Sequence, residues 1–363
     1  MKRIHPGLVV LPAAAILLIF FLAFDGPYLL QQSVGYFRTV VFARDIEKLR
    51  AKGDLDESTE DLFDRVEEIR EFAYEELGLE RSENFTRYSE VERDYLLMVV
   101  SVVADDRLQR AGWSYPVVGE LFYRGFYNSA RAFDVASRFA SQNYDVLIRE
   151  VDAFSSLGYF PDPIYSFMSE NSDYRLANLI IHEEMHATLW LKGQNAYNEE
   201  IATFVGDEGA ARFIREKYGA DSEEYDAIAD GRADRRMYRR LMQELYEELS
   251  MAYDALETRE ERLQAKEEIF EDFRDRLRED YDKMFRTDRY RGAAERPLDN
   301  ARVDASYKYG GDLSLYYDLY RELDNDLSTV VKVMKESALQ PEAPRDYIRE
   351  RLEQERSPGS HDT

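Results

Sequence analysis

Residues 182–186 read His-Glu-Glu-Met-His, an HExxH motif on which the interpretation of the whole chain depends. In a helix His182 and His186 stand one turn apart, about 40° from each other, so both imidazoles can reach one ion. Glu183 lies on the adjacent side, where its carboxylate can act as a general base for water. The motif therefore predicts a Zn²⁺ site with two histidine ligands and Glu183 as the catalytic residue.

The supply of metal-binding side chains in this chain is small. It has four histidines, of which His5 and His361 lie at the extreme ends, and it has no cysteine. Disulfides, thiolate catalysis and cysteine-based metal sites are therefore excluded. A di-iron carboxylate site needs a second Glu-x-x-His, and no further histidine of the folded part supplies one.

Catalytic zinc commonly takes three protein ligands and leaves one position for water. The helical pattern that contains the motif ends at Gly193, and the next pattern begins after Asn198. Glu199 would stand in the first turn of this second helix and would face the metal if the two helices are antiparallel. Spacing alone leaves three other carboxylates as candidates for the third ligand, which are Glu200, Asp207 and Glu208.

The charge of the chain argues against nucleic acid as a partner. The 363 residues include 73 Asp and Glu against 48 Lys and Arg, a formal net charge of −25. A protein that grips phosphates needs a basic face, and no stretch of the sequence supplies one without interleaved acids. Hydrophobic residues make up 44% of the chain, including 26 Tyr and 20 Phe, which predicts a folded protein with a substantial core.

The patterns along the chain predict an α+β fold that is predominantly helical. Helical periods cover about 28–49 and 58–77, while β-branched and aromatic runs at 95–103, 121–126 and 144–154 predict a small sheet before the motif. Residues 232–285 contain neither Gly nor Pro and carry apolar residues at helical spacing. A capping box formed by Thr258 and Glu261 predicts that this region is a hairpin of two long helices. Its charges are most simply a solvated face.

The N-terminal segment 7–24 is uncharged and apolar and follows Lys2 and Arg3. Its length and flanking charges predict an uncleaved signal-anchor that spans a membrane, with the rest of the chain on the extracytoplasmic side. We therefore divide the chain into an anchor over 1–27, a metallopeptidase domain over 28–340 and a flexible, charge-rich tail over 341–363. The oligomeric state stays open.

Two segments carry a likeness to a known family. His182 to Trp190 followed by Asn198 to Gly209 resembles bacterial predicted aminopeptidases of the HExxH gluzincin type. Further matching stretches, at 113–119, 123–127, 154–160 and 298–301, extend the resemblance over most of the chain. It implies a gluzincin-like α+β metallopeptidase with Glu199 as the third zinc ligand and a peptide as substrate. The family usually has an apolar residue at position 184, so Glu184 needs either a wet surface or a cation such as Arg175 or Arg212.

The resemblance also suggests residues around the metal. Segment 154–160 takes the place of the edge strand that pairs with extended substrate in gluzincins, which predicts substrate contacts from Ser155, Leu157 and Gly158, and Tyr123 could line the same cleft. Asp207 and Glu208 could orient a ligand imidazole. Stabilising the oxyanion requires a second electrophile besides zinc, and the candidates that follow Asn300-Ala301 are Tyr307 and Tyr309.

The sequence predicts a zinc-dependent peptide hydrolase, an aminopeptidase by the family's label, in which Glu183 assists the attack of water on a peptide bond. The alternative is a non-catalytic, membrane-tethered helical scaffold whose metal site is structural or degenerate. Glu183 favours the enzyme, because a structural site has no use for a base at that position.

Overall fold

The computed structural model of the protein describes residues 25–115, 119–152, 161–308 and 313–356. Of these residues 63% are helical and the strands form small sheets, which confirms the prediction of a predominantly helical α+β fold. The helices that precede the motif are α1 (Gly26–Tyr36), α2 (Ile46–Arg50), α3 (Glu57–Glu75) and α4 (Ser129–Ala140). The motif and the residues after it form α5 (Asp173–Thr188), α6 (Asn195–Tyr218), α7 (Glu223–Ala255), α8 (Arg259–Met284), α9 (Asn300–Lys308), α10 (Ser314–Glu322), α11 (Leu327–Ser337) and α12 (Pro344–Arg356).

The predicted sheet before the motif is present. Its central strand is β3 (Leu97–Ala104), which pairs antiparallel with both β6 (Tyr123–Phe126) and β7 (Tyr144–Val151). Short strands complete two smaller sheets, in which β1 (Arg44–Asp45), β2 (Arg87–Ser89) and β8 (Ile164–Tyr165) form one and β4 (Trp113–Tyr115) and β5 (Gly119–Leu121) the other. Strand β3 is nearly continuous in Val and Leu because both of its faces are covered, by α4 on one side and by α9 on the other.

The main hydrophobic core surrounds the helix that carries the motif. Leu176, Ile180 and Ile181 of α5 are fully buried, as are Ile201 and Phe204 of α6. Residues from α3, α10, α11 and α12 pack into the same core, so the two helices of the candidate site lie within this buried cluster.

The region 232–285 is a helical hairpin, as the sequence predicts. Helix α7 ends at Ala255 and α8 begins at Arg259, and Thr258 and Glu261 form the predicted capping box between them. The two arms share a separate core that includes Leu245 and Phe270. The break occurs where the cap satisfies the free backbone N–H groups at the start of α8.

A buried polar cluster joins this hairpin to the sheet. Asn300 at the start of α9 is 0% exposed, and its side chain accepts a hydrogen bond from the Tyr253 hydroxyl (2.9 Å) and donates one to the Ala104 carbonyl (2.9 Å). Its backbone N–H donates to Asp145 (2.8 Å), which also accepts from the Lys266 ammonium (2.6 Å). One amide side chain therefore connects α7, α9 and β3.

The end of the chain differs from the predicted flexible tail. Residues 344–356 form α12, whose Ile348 and Leu352 are buried against α10 and α11. Arg345 of this helix donates two hydrogen bonds to Glu200 of α6, at 2.7 and 2.9 Å. Because the segment is rich in charged residues, the sequence analysis did not recognise it as a packed helix. Ile348 and Leu352 are four residues apart and so lie on one face, which is enough to dock the helix.

The predicted localisation is corrected by the structure. Among the described residues, no helix is both long enough and apolar enough to cross a bilayer, which contradicts the membrane-anchored, extracytoplasmic arrangement. The apolar segment 7–24, on which that prediction rested, lies outside the described residues.

We expect Asn300→Leu to lower the free energy of unfolding by about 2–4 kcal/mol, because it leaves buried hydrogen-bond partners unsatisfied on α7 and on β3. Tyr253→Phe, which removes one of these hydrogen bonds, should cost only about 1 kcal/mol. Urea unfolding followed by circular dichroism measures both. Equal costs for the two variants would contradict the role of Asn300 as the junction.

Candidate metal centre

Helix α5 holds the two motif histidines in the expected geometry. Ser172 caps its N-terminus by accepting a hydrogen bond from the Arg175 N–H (3.4 Å). The rings of His182 and His186 lie one turn apart with centroids separated by 4.8 Å and planes nearly perpendicular. Trp190 packs edge-on against His186 at 5.3 Å. Both Nε2 atoms consequently point away from α5 towards the next helix.

The turn between α5 and α6 brings a carboxylate to these nitrogens. Asn198, which is 0% exposed, bonds to the backbone of Leu191 through both its amide nitrogen (2.9 Å) and its carbonyl oxygen (3.0 Å). The carboxylate of the next residue, Glu199, lies 3.5 Å from His186 Nε2 and 3.8 Å from His182 Nε2. Helix α6 begins at Asn195, so Glu199 stands in its second turn and not in its first.

Close packing of the two helices supports this arrangement. Gly206 of α6 faces α5, and a Cβ atom placed there would lie 3.0 Å from the Asn178 carbonyl oxygen and 3.1 Å from the Cβ of His182. Glu199 lies beside His186 while Gly206 lies beside Asn178, so the helices are antiparallel. Only a glycine permits the backbones to come this near without displacement.

Burial determines the protonation of the histidines. It lowers the pKa of His182 to about 4, against a smaller opposing effect from a hydrogen bond with the backbone of Ala202. Burial and the neighbouring His182 lower the pKa of His186 to about 3. Both imidazoles are therefore neutral at physiological pH, which is the form that binds a metal.

Glu183 is a buried carboxyl, one oxygen of which has no hydrogen-bond partner among the described residues. Its Oε2 atom makes no hydrogen bond within the described part of the chain. Burial, and then the charges of Asp162, Glu199 and Glu184, raise the pKa of Glu183 to about 8. An acid of this kind exchanges its proton near neutral pH, which is what a general acid and base requires.

The residues present fit a divalent metal ion. His182, His186 and Glu199 offer one ligand atom each, and these atoms lie within 4.8 Å of one another. Two imidazole nitrogens and one carboxylate oxygen are the donors of a catalytic zinc site, although other divalent ions accept the same donors. Beside these donors, the Oε2 atom of Glu183 has no hydrogen-bond partner in the part of the chain that the structure describes.

The competing carboxylates are engaged elsewhere. Glu200 accepts hydrogen bonds from Arg345 and from Tyr316 (2.9 Å), and Glu208 pairs with Arg232. Asp207 accepts hydrogen bonds from Arg232, Arg235 and Tyr174. Neither Asp207 nor Glu208 contacts an imidazole among the described residues, in contrast to the predicted orienting role, because the arginines of α7 pack against them. Within that part of the chain, Glu199 is the carboxylate that faces both histidines.

The carboxylate of Glu184 is compensated by a cation that the sequence analysis did not identify. This side chain is 0% exposed and accepts hydrogen bonds from Tyr74 (2.9 Å) and Ser82 (2.7 Å), with the Arg70 guanidinium at 3.6 Å. The suggested partners are committed elsewhere, since Arg175 pairs with Asp152 and Arg212 with Glu76 and Glu216. Helix α3 supplies Arg70, which no local sequence pattern connects to α5.

Of the other predicted residues, the structure describes Tyr307 and Tyr123, which lie on other elements. Tyr307 is partly exposed and stacks on Tyr246 of α7, with ring centroids 3.9 Å apart. Tyr123 is an exposed residue of β6. The remaining candidates, Ser155, Leu157, Gly158 and Tyr309, lie outside the described residues.

A group of arginines near the centre was missed by the sequence analysis. A cavity of about 780 Å³ is lined by His182 and by four arginines of α7, at positions 232, 235, 236 and 239. Their spacing of i, i+3, i+4 and i+7 places them on one helix face, a signal that was available in the sequence. At this end of the hairpin, the charged face lines a cavity in addition to facing solvent.

A comparison with known families gives one match. A family model described as "Putative aminopeptidase" matches residues 27–348, from α1 to the first turns of α12. No curated protein and no solved structure matches the chain.

We expect the metal-free protein to lose stability as the pH falls from about 6.5 to 4. In this window the unfolded chain protonates His182 and His186, whereas the folded chain keeps them neutral, so unfolding takes up as many as two protons. The slope from this pair is about 2.7 kcal/mol per pH unit at its steepest. Urea unfolding in the presence of a chelator, at several pH values, measures it.

The control for this prediction is the His182→Gln/His186→Gln double variant, which keeps Glu183. The raised pKa of Glu183 acts in the opposite direction, lowering stability as the pH rises between about 4.5 and 8. The difference between the two proteins therefore isolates the histidines. Parallel pH profiles for both would show that the imidazoles are not buried in neutral form.

Proposed function

The chain belongs to the family described as "Putative aminopeptidase", and from this premise we propose that it is a zinc-dependent peptide hydrolase of the gluzincin type. The observation that carries the proposal is the convergence of His182, His186 and Glu199 beside the buried, unpartnered Glu183. His182, His186 and Glu199 would hold the metal, which when bound acts as a Lewis acid on water and on the peptide carbonyl.

Glu183 moves the proton in this proposal. A positive charge held by the three neighbouring ligands would lower its pKa from the raised value towards neutrality. Its carboxylate then accepts a proton from the water whose oxygen attacks the carbonyl carbon. As the carbon–nitrogen bond breaks, the same carboxyl delivers that proton to the leaving amine.

The helix packing explains how these side chains stay in position. Glu183 and the two histidines lie within little more than one turn of α5, and this part of the helix is held by the fully buried Ile180, Ile181 and Met185. Asn198 fixes the turn that presents Glu199. Such a support keeps donors and base within the narrow tolerances that catalysis requires.

A non-catalytic scaffold with a structural metal site is the alternative, and the two functions differ in their use of Glu183. A structural site usually closes with a fourth protein ligand, whereas the group found among the described residues has three members. A scaffold would also keep a buried carboxyl at a desolvation cost with no compensating contact. We therefore favour the hydrolase.

We expect the full chain to bind about one zinc ion, and Glu199→Gln or His186→Ala to abolish this binding because each removes one of three ligands. Glu200→Gln is the matched control: it changes the adjacent carboxylate, which pairs with Arg345, and should keep the metal. Plasma mass spectrometry after zinc reconstitution and desalting gives the content. Absence of zinc from the unaltered chain would remove the basis of the proposal.

We expect Glu183→Gln to retain zinc and to lose hydrolysis of a peptide library by a factor of about 10²–10⁴, since an amide cannot accept the proton. Mass spectrometry of the cleavage products measures the rate and shows whether cleavage is terminal or internal. A variant as active as the unaltered protein would exclude Glu183 as the base.

A further inference from the structure

The cavity beside His182 is walled by arginines that come from several elements. Arg232, Arg235, Arg236 and Arg239 project from one face of α7. The other basic residues that line the cavity are Arg175, near the start of α5, and Arg289, in the segment after α8. The acidic residues of the lining are Glu170 and Asp207. In a chain with a net charge of −25, this cavity is basic.

Half of these arginines already have carboxylate partners. Arg232 and Arg235 donate to Asp207, at 2.9 and 3.0 Å, and Arg175 pairs with Asp152. The two pairs with Asp207 join α7 to α6, and they neutralise the charge of Asp207.

The remaining three guanidinium groups have no carboxylate partner among the described residues, and that of Arg289 lies 6.0 Å from the centre of the Tyr290 ring. Within the described ranges, no ion pair and no side-chain hydrogen bond involves the guanidinium of Arg236, Arg239 or Arg289. Acids outnumber bases by 73 to 48, and most other arginines of the described chain pair with one. Three free guanidinium groups on one cavity are therefore the feature that needs an explanation.

The segment that contains Arg289 is held by hydrogen bonds to a buried carboxylate of α7. Asp234 of α7 is 1% exposed and accepts hydrogen bonds from the backbone N–H groups of Arg286 (2.8 Å) and Thr287 (2.9 Å) and from the Thr287 hydroxyl (2.6 Å). This ties the segment after α8 to the same helix that carries Arg236 and Arg239. The unpaired arginines therefore belong to one supported surface.

We propose that Arg236, Arg239 and Arg289 bind a carboxylate of a peptide substrate in this cavity. Guanidinium groups match carboxylates with two parallel hydrogen bonds, and such pairs gain strength in a partly enclosed site. A volume of about 780 Å³ is sufficient for a short peptide segment. Because His182 lines the same cavity, the bound carboxylate lies on the substrate side of the candidate metal centre.

This inference rests on the proposed function for the identity of the ligand as a peptide. The carboxylate has two possible sources, an acidic side chain or the free C-terminus of a short peptide. The chemistry at the arginines is the same for both, and the choice of probes separates them.

The test compares the Arg236→Gln/Arg239→Gln double variant with Arg240→Gln. Arg240 is the sequence neighbour of Arg239 and is exposed, as Arg236 is, but it does not line the cavity and lies 3.6 Å from Glu244 of its own helix. Both changes remove surface charge and leave the paired Arg232 and Arg235 intact. Far-UV circular dichroism and thermal unfolding verify that each variant folds.

Isothermal titration calorimetry on the metal-free full chain gives affinities for four probes: tetra-alanine with a free carboxylate, its C-terminal amide, Ala-Asp-Asp-Ala amide and Ala-Lys-Lys-Ala amide. We expect an acidic or free-carboxylate peptide to bind at least tenfold more tightly than the lysine peptide. The double variant should lose at least tenfold of this affinity, while Arg240→Gln should change it by less than twofold. Tighter binding of the aspartate-containing amide would identify an acidic side chain as the source of the bound carboxylate. Tighter binding of tetra-alanine with a free carboxylate would identify the C-terminus as its source.

Equal affinities for all four peptides, no detectable binding of any of them, or a double variant that binds like the unaltered chain would each overturn the inference. Because these measurements need neither metal nor turnover, they are independent of hydrolysis. Carboxylate binding without activity of the zinc-loaded chain would refute the proposed function and keep the arginine site. Hydrolysis at the same rate for acidic, neutral and basic peptides would support the proposed function and refute the arginine site.

Discussion

The close antiparallel contact between α5 and α6 is the constraint on which the candidate centre depends. Gly206 allows the two backbones to approach at His182, and Asn198 closes the turn that reverses the chain. Without this contact, Glu199 would be one more surface carboxylate in an acidic chain. With it, one carboxylate is placed opposite two neutral imidazoles, whose proton affinity is lowered by the same burial that packs the helices.

Pairing of charges then separates structural acids from reactive ones. Glu184, Glu200 and Asp207 lie near the helix pair, and each has an arginine partner, which are Arg70, Arg345 and Arg232. Glu183 and Glu199 have no Lys or Arg partner within the described part of the chain and lie beside the histidines. A buried or half-buried carboxyl without a cation is costly, and a divalent metal ion is the partner that this geometry suits.

The helical hairpin contributes to the same cavity from the opposite side. Asn300 connects it to the sheet, and Asp234 holds the segment after α8 against α7, so the arginine face of α7 is turned towards α5. The cavity is thus formed by elements that are distant in the chain. Its basic character contrasts with the acidic surface of the protein and is consistent with selection among substrates by charge.

The amino-acid sequence by itself determined most of the secondary structure and the relative placement of the motif residues. The capping box at Thr258 and most of the helical and strand periods are local signals that the structure reproduces, whereas the period over 28–49 is divided between α1 and α2 by strand β1. The HExxH spacing likewise predicts the placement of His182, Glu183 and His186, because it depends only on the turn of one helix. The docking of α12 was not predicted, because it depends on contacts with distant parts of the chain. The few apolar residues of α12 become buried only when they pack against α10 and α11.

Only the tertiary structure decided which carboxylate meets the histidines, which arginine neutralises Glu184 and which charges of the hairpin line a cavity. Glu199, Glu200, Asp207 and Glu208 are equivalent acids in a linear sequence. They differ in the folded protein because contacts between residues far apart in the chain supply a cation to three of them and two imidazoles to the fourth. Local spacing cannot encode that choice, since long-range packing sets the distance between charges and hence their interaction energy.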